Sequence, residues 1–117
     1  MAENILKGKS YSFALDIIKI AEQIINQRKE YILSKQLLRS GTAIGALIRE
    51  AEFAQSRADF ISKMSISIKE ANETLYWLSL LKDSNYIVAE TFEKLERPCK
   101  ELISILVASI KTSKSKT

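Results

Sequence analysis

Glu70 and Glu73 set two carboxylates one turn apart on a helical stretch, and carboxylates projecting from bundle helices are the raw material of di-metal sites. Such sites also draw a histidine from a Glu-x-x-His pair, and this chain has no histidine. The same absence removes the commonest general base, the usual zinc ligand and the side chain that titrates near neutrality. A salt link to Arg39 or Arg49 is therefore the expected role of the two acids, a contact that contributes ~0–1 kcal/mol at a surface. Ser34, Ser40 and Thr42 lack a histidine to activate them as nucleophiles. Cys99 lies on an apolar helical stripe, where a cysteine behaves as a small core residue. Gly41-x-x-x-Gly45 has neither the strand nor the Lys-Ser/Thr ending of a phosphate loop. No catalytic residue, metal ligand or cofactor is expected.

What remains is positive charge. Lys35, Arg39 and Arg49 fall with Thr42 on one face at helical spacing. Arg28, Lys29, Lys9 and the lysines near the C-terminus extend the set toward a surface able to contact phosphates. The chain has 18 Lys and Arg against 14 Asp and Glu, a net charge of +4. That balance permits an anionic partner, RNA or DNA, without requiring one. No base-reading motif is present, so binding would be sequence-blind and salt-sensitive. The bland alternative is that these charges simply solvate the outside of the fold. Several copies in one assembly would concentrate them, so oligomerisation decides the matter.

These side chains have to be held by helices. At 117 residues there is room for one domain with one core. No apolar run reaches the ~18 residues of a membrane span, and the first residues, Met1-Ala2-Glu3-Asn4-Ile5-Leu6-Lys7, do not read as a secretory signal. One cysteine rules out an internal disulfide and suits a reducing compartment. The expected location is cytoplasmic, away from membranes.

Four helices follow from the periodicity. Residues 1–10 read as a loose lead-in. Helix 1 is expected from Ser12 to Gln27, with Phe13, Ile17, Ile20 and Ile24 on one stripe and Ala14, Ile18, Ala21 and Ile25 on its neighbour. Helix 2 starts between Glu30 and Ser34 and runs to about Ala54. Its seam, Leu33, Leu37, Ser40, Ile44, Leu47, Ala51 and Ala54, has three-four spacing. Beside that seam run Leu38, Gly41, Gly45 and Ile48. Each glycine costs a helix about 1 kcal/mol against alanine, which close approach of another backbone would offset. Two adjoining stripes predict two partner helices.

Helix 3 is expected from Arg57 to Asp83, entered through a Ser56/Asp59 capping box and carrying Ile61, Met64, Ile68, Ala71, Leu75 and Leu78 inward. Its last turns, including Trp77, Leu80 and Leu81, are apolar nearly all round, which hints at a subunit interface as well as a core. Asp83-Ser84-Asn85 is a stop in which Asn can take the left-handed cap. Helix 4 follows from Ala89 to Lys111, with Phe92, Leu95, Cys99, Leu102, Leu106 and Ile110 inward and a kink or break at Pro98. Residues 112–117 read as a disordered tail. The fold class is all-α, a single up-down-up-down antiparallel four-helix bundle spanning residues 1–117.

The run Leu33-Ser34-Lys35-Gln36-Leu37-Leu38-Arg39-Ser40-Gly41-Thr42-Ala43-Ile44-Gly45-Ala46, followed by Glu50-Ala51, resembles the signature of the 23S rRNA-intervening-sequence protein family. Gln55-Ser56, Asp59-Phe60, Lys63-Met64-Ser65-Ile66, Lys69-Glu70-Ala71, Glu73-Thr74, Tyr76-Trp77-Leu78 and Leu81 to Ile87 continue the pattern. The resemblance implies an antiparallel four-helix bundle that assembles as a homopentameric ring, with no enzymatic activity attached. Some members are encoded within inserts of bacterial 23S rRNA genes. A similar protein is the accessory subunit of diversity-generating retroelements, where a basic pentamer binds a reverse transcriptase and nucleic acid. Leu47 stands where the family usually has Asn, and Arg49 where it usually has an acid. The first change removes a polar contact from the seam; the second makes the outer face more basic.

Two functions are thus expected to compete. One is a self-assembling, non-enzymatic basic scaffold that binds RNA or DNA through Lys35, Arg39, Arg49, Arg28 and Lys29, with Gly41, Gly45, Trp77, Leu80 and Leu81 serving packing and assembly. The other is an adaptor that docks a protein such as a reverse transcriptase without itself touching nucleic acid.

Overall fold

Four long helices account for nearly the whole chain: α1 (Ala2–Arg28), α2 (Ile32–Glu52), α3 (Arg57–Asp83) and α4 (Ala89–Ser115). The computed structural model describes residues 2–116. Each helix packs on its sequence neighbours and α1 closes against α4, while neither diagonal pair of helices meets among the described residues. That is the up-down-up-down antiparallel bundle, 50 Å long and about 20 Å wide.

The helices meet along stripes at three-four spacing. On α1 the fully buried residues are Leu6, Ser10, Phe13, Ile17, Ala21 and Ile24. The stripe therefore begins well before Ser12, and residues 2–10 are helical rather than a lead-in. Burying Leu6 supplies the reason, since a fully buried leucine contributes about 1.5–3 kcal/mol. Residues 112–115 likewise continue α4, in place of the expected tail, while Met1 and Thr117 lie outside the described residues. Pro98 does not break α4, which is helical from Ala89 through Ser115. The proline lines a shallow surface groove together with Gly8, Lys9 and Ser12 of α1.

On α3 the innermost line is Met64, Ser67, Ala71, Thr74, Leu78 and Leu81. Ile68 and Leu75, expected inward, are only partly buried. Ser67 and Thr74 replace them because each hydroxyl finds a carbonyl: Ser67 Oγ donates to Ile44 O at 3.0 Å, and Thr74 Oγ1 lies 2.8 Å from Glu70 O. On α4, Phe92, Leu95, Cys99, Leu102 and Leu106 are buried as their spacing predicts, with Ile110 at the edge.

The connections are short and capped. Ser56 Oγ accepts from Asp59 N at 3.0 Å, and the Asp59 carboxylate accepts from Gln55 N at 3.2 Å, one residue earlier than a strict capping box. Asn85 takes the left-handed conformation (φ 67°) after α3, as does Lys29 (φ 57°) after α1. The N-terminus of α2 is closed by Glu30, whose carboxylate accepts from the backbone N–H groups of Ile32, Leu33 and Ser34 at 2.9–3.0 Å. Partial burial pushes the Glu30 carboxyl up. The bonds from Leu33, Ser34 and Ile32 together outweigh that, and its pKa is lowered.

Candidate assembly face and nucleic-acid interface

α2 has two partners, one on each stripe. Gly41 and Gly45 face α1: a Cβ at Gly41 would stand 2.8 Å from Ile17 Cγ2, and one at Gly45 would stand 3.1 Å from Ser10 Oγ. The glycines thus permit a helix–helix approach that alanine would obstruct. The seam faces α3, where Ser40 Oγ and Thr74 Oγ1 lie 2.9 Å apart and both residues are fully buried. Leu47 sits half-buried at the edge of that seam.

The outer flank of α1 is left uncovered. Tyr11, Leu15 and Ile18 follow one another at helical spacing and are 59%, 46% and 37% exposed. Ile18, expected on a buried stripe, is at the surface, one residue round the helix from the buried line through Phe13, Ile17 and Ala21. Next to this row, Tyr11, Ala14, Thr42, Gly45 and Ala46 line a shallow groove of about 410 Å³, rimmed by Lys7 and Arg49. Sequence reasoning missed this face: Tyr11 and Leu15 lie on neither expected stripe of helix 1, and Ile18 was expected to be buried.

The expected assembly residues of α3 are placed differently. Leu81 is fully buried and belongs to the core. Trp77 and Leu80 are half-buried. The Trp77 indole N–H donates to Glu73 Oε2 at 2.9 Å, and Tyr76, 57% exposed, meets the indole edge-on with ring centroids 5.1 Å apart. Apart from Tyr76, this end of α3 is largely covered by the bundle itself.

The cations singled out from sequence do not form one patch. Arg39 pairs with both Glu70 and Glu73, as the carboxylate spacing suggested, and also with Gln36. The Trp77 bond is the main influence holding the Glu73 carboxyl below its usual value; partial burial opposes it and Arg39 adds to it. Arg28 donates to Asn85 O at 2.8 Å and lies 4.8 Å from the centre of the Tyr86 ring. Lys29 and Lys35 are exposed at that same end of the bundle, and Arg49 is exposed near the other. Along α2, Lys35 and Arg49 are separated by about 21 Å. Sequence spacing could not show which of these cations the fold engages.

The remaining chemistry is structural. Cys99 is fully buried, its thiol donates to Ala71 O at 3.4 Å, and burial pushes its pKa up to about 12. No group of three or more His, Cys, Asp or Glu able to hold a metal occurs among the described residues. Among them, too, no helix is long and apolar enough to cross a membrane.

Comparison with known proteins places this bundle. Four solved chains match. One is the 1.70 Å crystal structure of a protein of unknown function from the S23 ribosomal protein family of Bacteroides thetaiotaomicron. It is 50% identical, with a TM-score of 0.94 over 95% of this chain and 99% of that one. No curated protein matches. The family model for 23S rRNA-intervening sequence protein matches residues 2–108, spanning all four helices. With a glycine-thinned α2 clasped between α1 and α3, the chain belongs to the 23S rRNA-intervening sequence protein family.

Proposed function

We propose that this protein is a non-enzymatic, basic helical-bundle scaffold that self-assembles into a ring-like oligomer, five copies being the number the family resemblance implies, and that the assembly binds RNA or DNA. The observation that carries this reading is the Tyr11–Leu15–Ile18 row on α1. An apolar row at helical spacing, beside a groove floored by Gly45, Ala14 and Ala46, suits a helix of a second copy. The buried, high-pKa Cys99 and the engagement of Glu70 and Glu73 by Arg39 favour a structural role for the groups otherwise suited to chemistry.

A net charge of +4 per chain, multiplied by copy number, supports the nucleic-acid half of the proposal. The engagement of Arg28 and Arg39 by surface groups of the same chain favours a second reading, an adaptor that docks a protein such as a reverse transcriptase and leaves nucleic acid alone. Sedimentation velocity at micromolar concentration tests assembly: an oligomer that Leu15→Glu/Ile18→Glu reduces to monomer is expected, and a wild-type monomer refutes it. Titration of labelled RNA at two salt concentrations separates the two readings, since an adaptor shows no binding even at low salt.

A further inference from the structure

The extension of α4 to Ser115 carries Lys111 and Lys114 on an ordered helix, with Lys116 just beyond it. Antiparallel topology brings this helix end beside the start of α3, where Arg57 is exposed. None of these four cations has an ion pair among the described residues. The described carboxylates at the same end are already engaged: Glu52 by Lys7, and Glu50 and Asp59 by Lys63. The α4 C-terminus offers only about half a negative charge, too little to neutralise three lysines. The same end presents Phe53, at the α2–α3 corner, which at 80% is the most exposed large apolar side chain described.

Unneutralised cations at the same bundle end as a bare aromatic ring are what a single-stranded nucleic acid needs, phosphates on the former and a base stacked on the latter. A duplex, with its bases already stacked, has no use for the ring. We infer that this end of the bundle, built from Phe53, Arg57, Lys111, Lys114 and Lys116, is a binding site for single-stranded nucleic acid. The inference rests on the nucleic-acid part of the proposed function and gives it a location away from the α1 assembly face.

The test is fluorescence anisotropy of the full chain with a labelled oligouridine of about 12 nucleotides, measured across a salt series. Lys111→Gln/Lys114→Gln/Lys116→Gln is expected to lower the salt slope by about 2, at ~0.7 for each phosphate no longer neutralised. Phe53→Ala is expected to weaken single-strand binding about tenfold with the slope unchanged and duplex binding unaffected. Lys19→Gln/Lys94→Gln, two exposed lysines away from this end, is expected to bind as wild type. If the wild type binds but the triple-lysine variant matches its affinity and slope, or the loss appears in a Lys29→Gln/Lys35→Gln variant at the opposite end instead, the inference is overturned and the proposed function stands. A wild type that fails to bind at low salt overturns both.

Discussion

The two flanks of α2 solve the same packing problem with opposite chemistry. Toward α1, side chains are deleted: Gly41 lets Ile17 approach to a distance at which an added methyl group would collide, and Gly45 lets Ser10 approach to one at which its hydroxyl would have to shift. Toward α3, side chains are kept but made polar, and Ser40, Ser67 and Thr74 are all fully buried with hydrogen-bond partners. Deletion brings helices together without fixing their register, because a glycine surface has no directional bond to offer. Buried hydroxyls fix register, because each must meet a carbonyl or another hydroxyl or leave a costly unsatisfied group. One flank of the central helix sets spacing and the other sets alignment.

Substitutions at each flank can break this contrast. Gly41→Val places a branched side chain against Ile17 and is expected to cost about 3 kcal/mol, read by urea denaturation. A neutral result would mean that α1 and α2 separate freely. Thr74→Val keeps the shape and removes the hydroxyl, with an expected loss of about 1 kcal/mol. A loss as large as the one at Gly41 would show that the hydroxyl flank, too, is governed by volume.

Glu30→Gln weakens the cap that starts α2 below both flanks, with an expected loss of about 1 kcal/mol at pH 7. Because the folded pKa of Glu30 is lowered, its contribution is present above the ordinary carboxylate value of 4.5 and fades as pH falls through the folded value. The gap between wild type and variant is therefore expected to close on acidification, and a pH-independent gap would contradict this. Gly8→Ala is the smallest change and has the opposite sign. Nothing stands within 4 Å of the added methyl, so the helix gains about 0.5–1 kcal/mol. Thermal melts that place Gly8→Ala below wild type would overturn the distinction between a glycine needed for approach and one that is not.

The fold was legible because burial and spacing agree over α2 and α4. Leu37, Ile44, Ala51, Cys99, Leu102 and Leu106 are apolar, inward and in register. It was legible less well where polar residues are buried. Ser10 interrupts the apolar pattern of α1 although Leu6 continues it, and so hid the first helical turns. Ser67 and Thr74 displaced Ile68 and Leu75 for the same reason: a hydroxyl reads as surface until its acceptor on another turn or helix is known. The candidate site was legible only in composition. Whether Arg28 is available depends on the carbonyl of Asn85, which lies on a different helix end and cannot be located by counting along the chain.

The lone thiol has a practical bearing. With Cys99 sealed against Ala71 and held protonated, the folded chain offers alkylating reagents almost no thiolate at neutral pH. Any labelling of the native sequence then requires α3 and α4 to part, and with reagent in large excess, so that labelling outpaces reclosing, its rate is the rate of opening. A cysteine introduced elsewhere on the surface could carry a probe while the original stays in place.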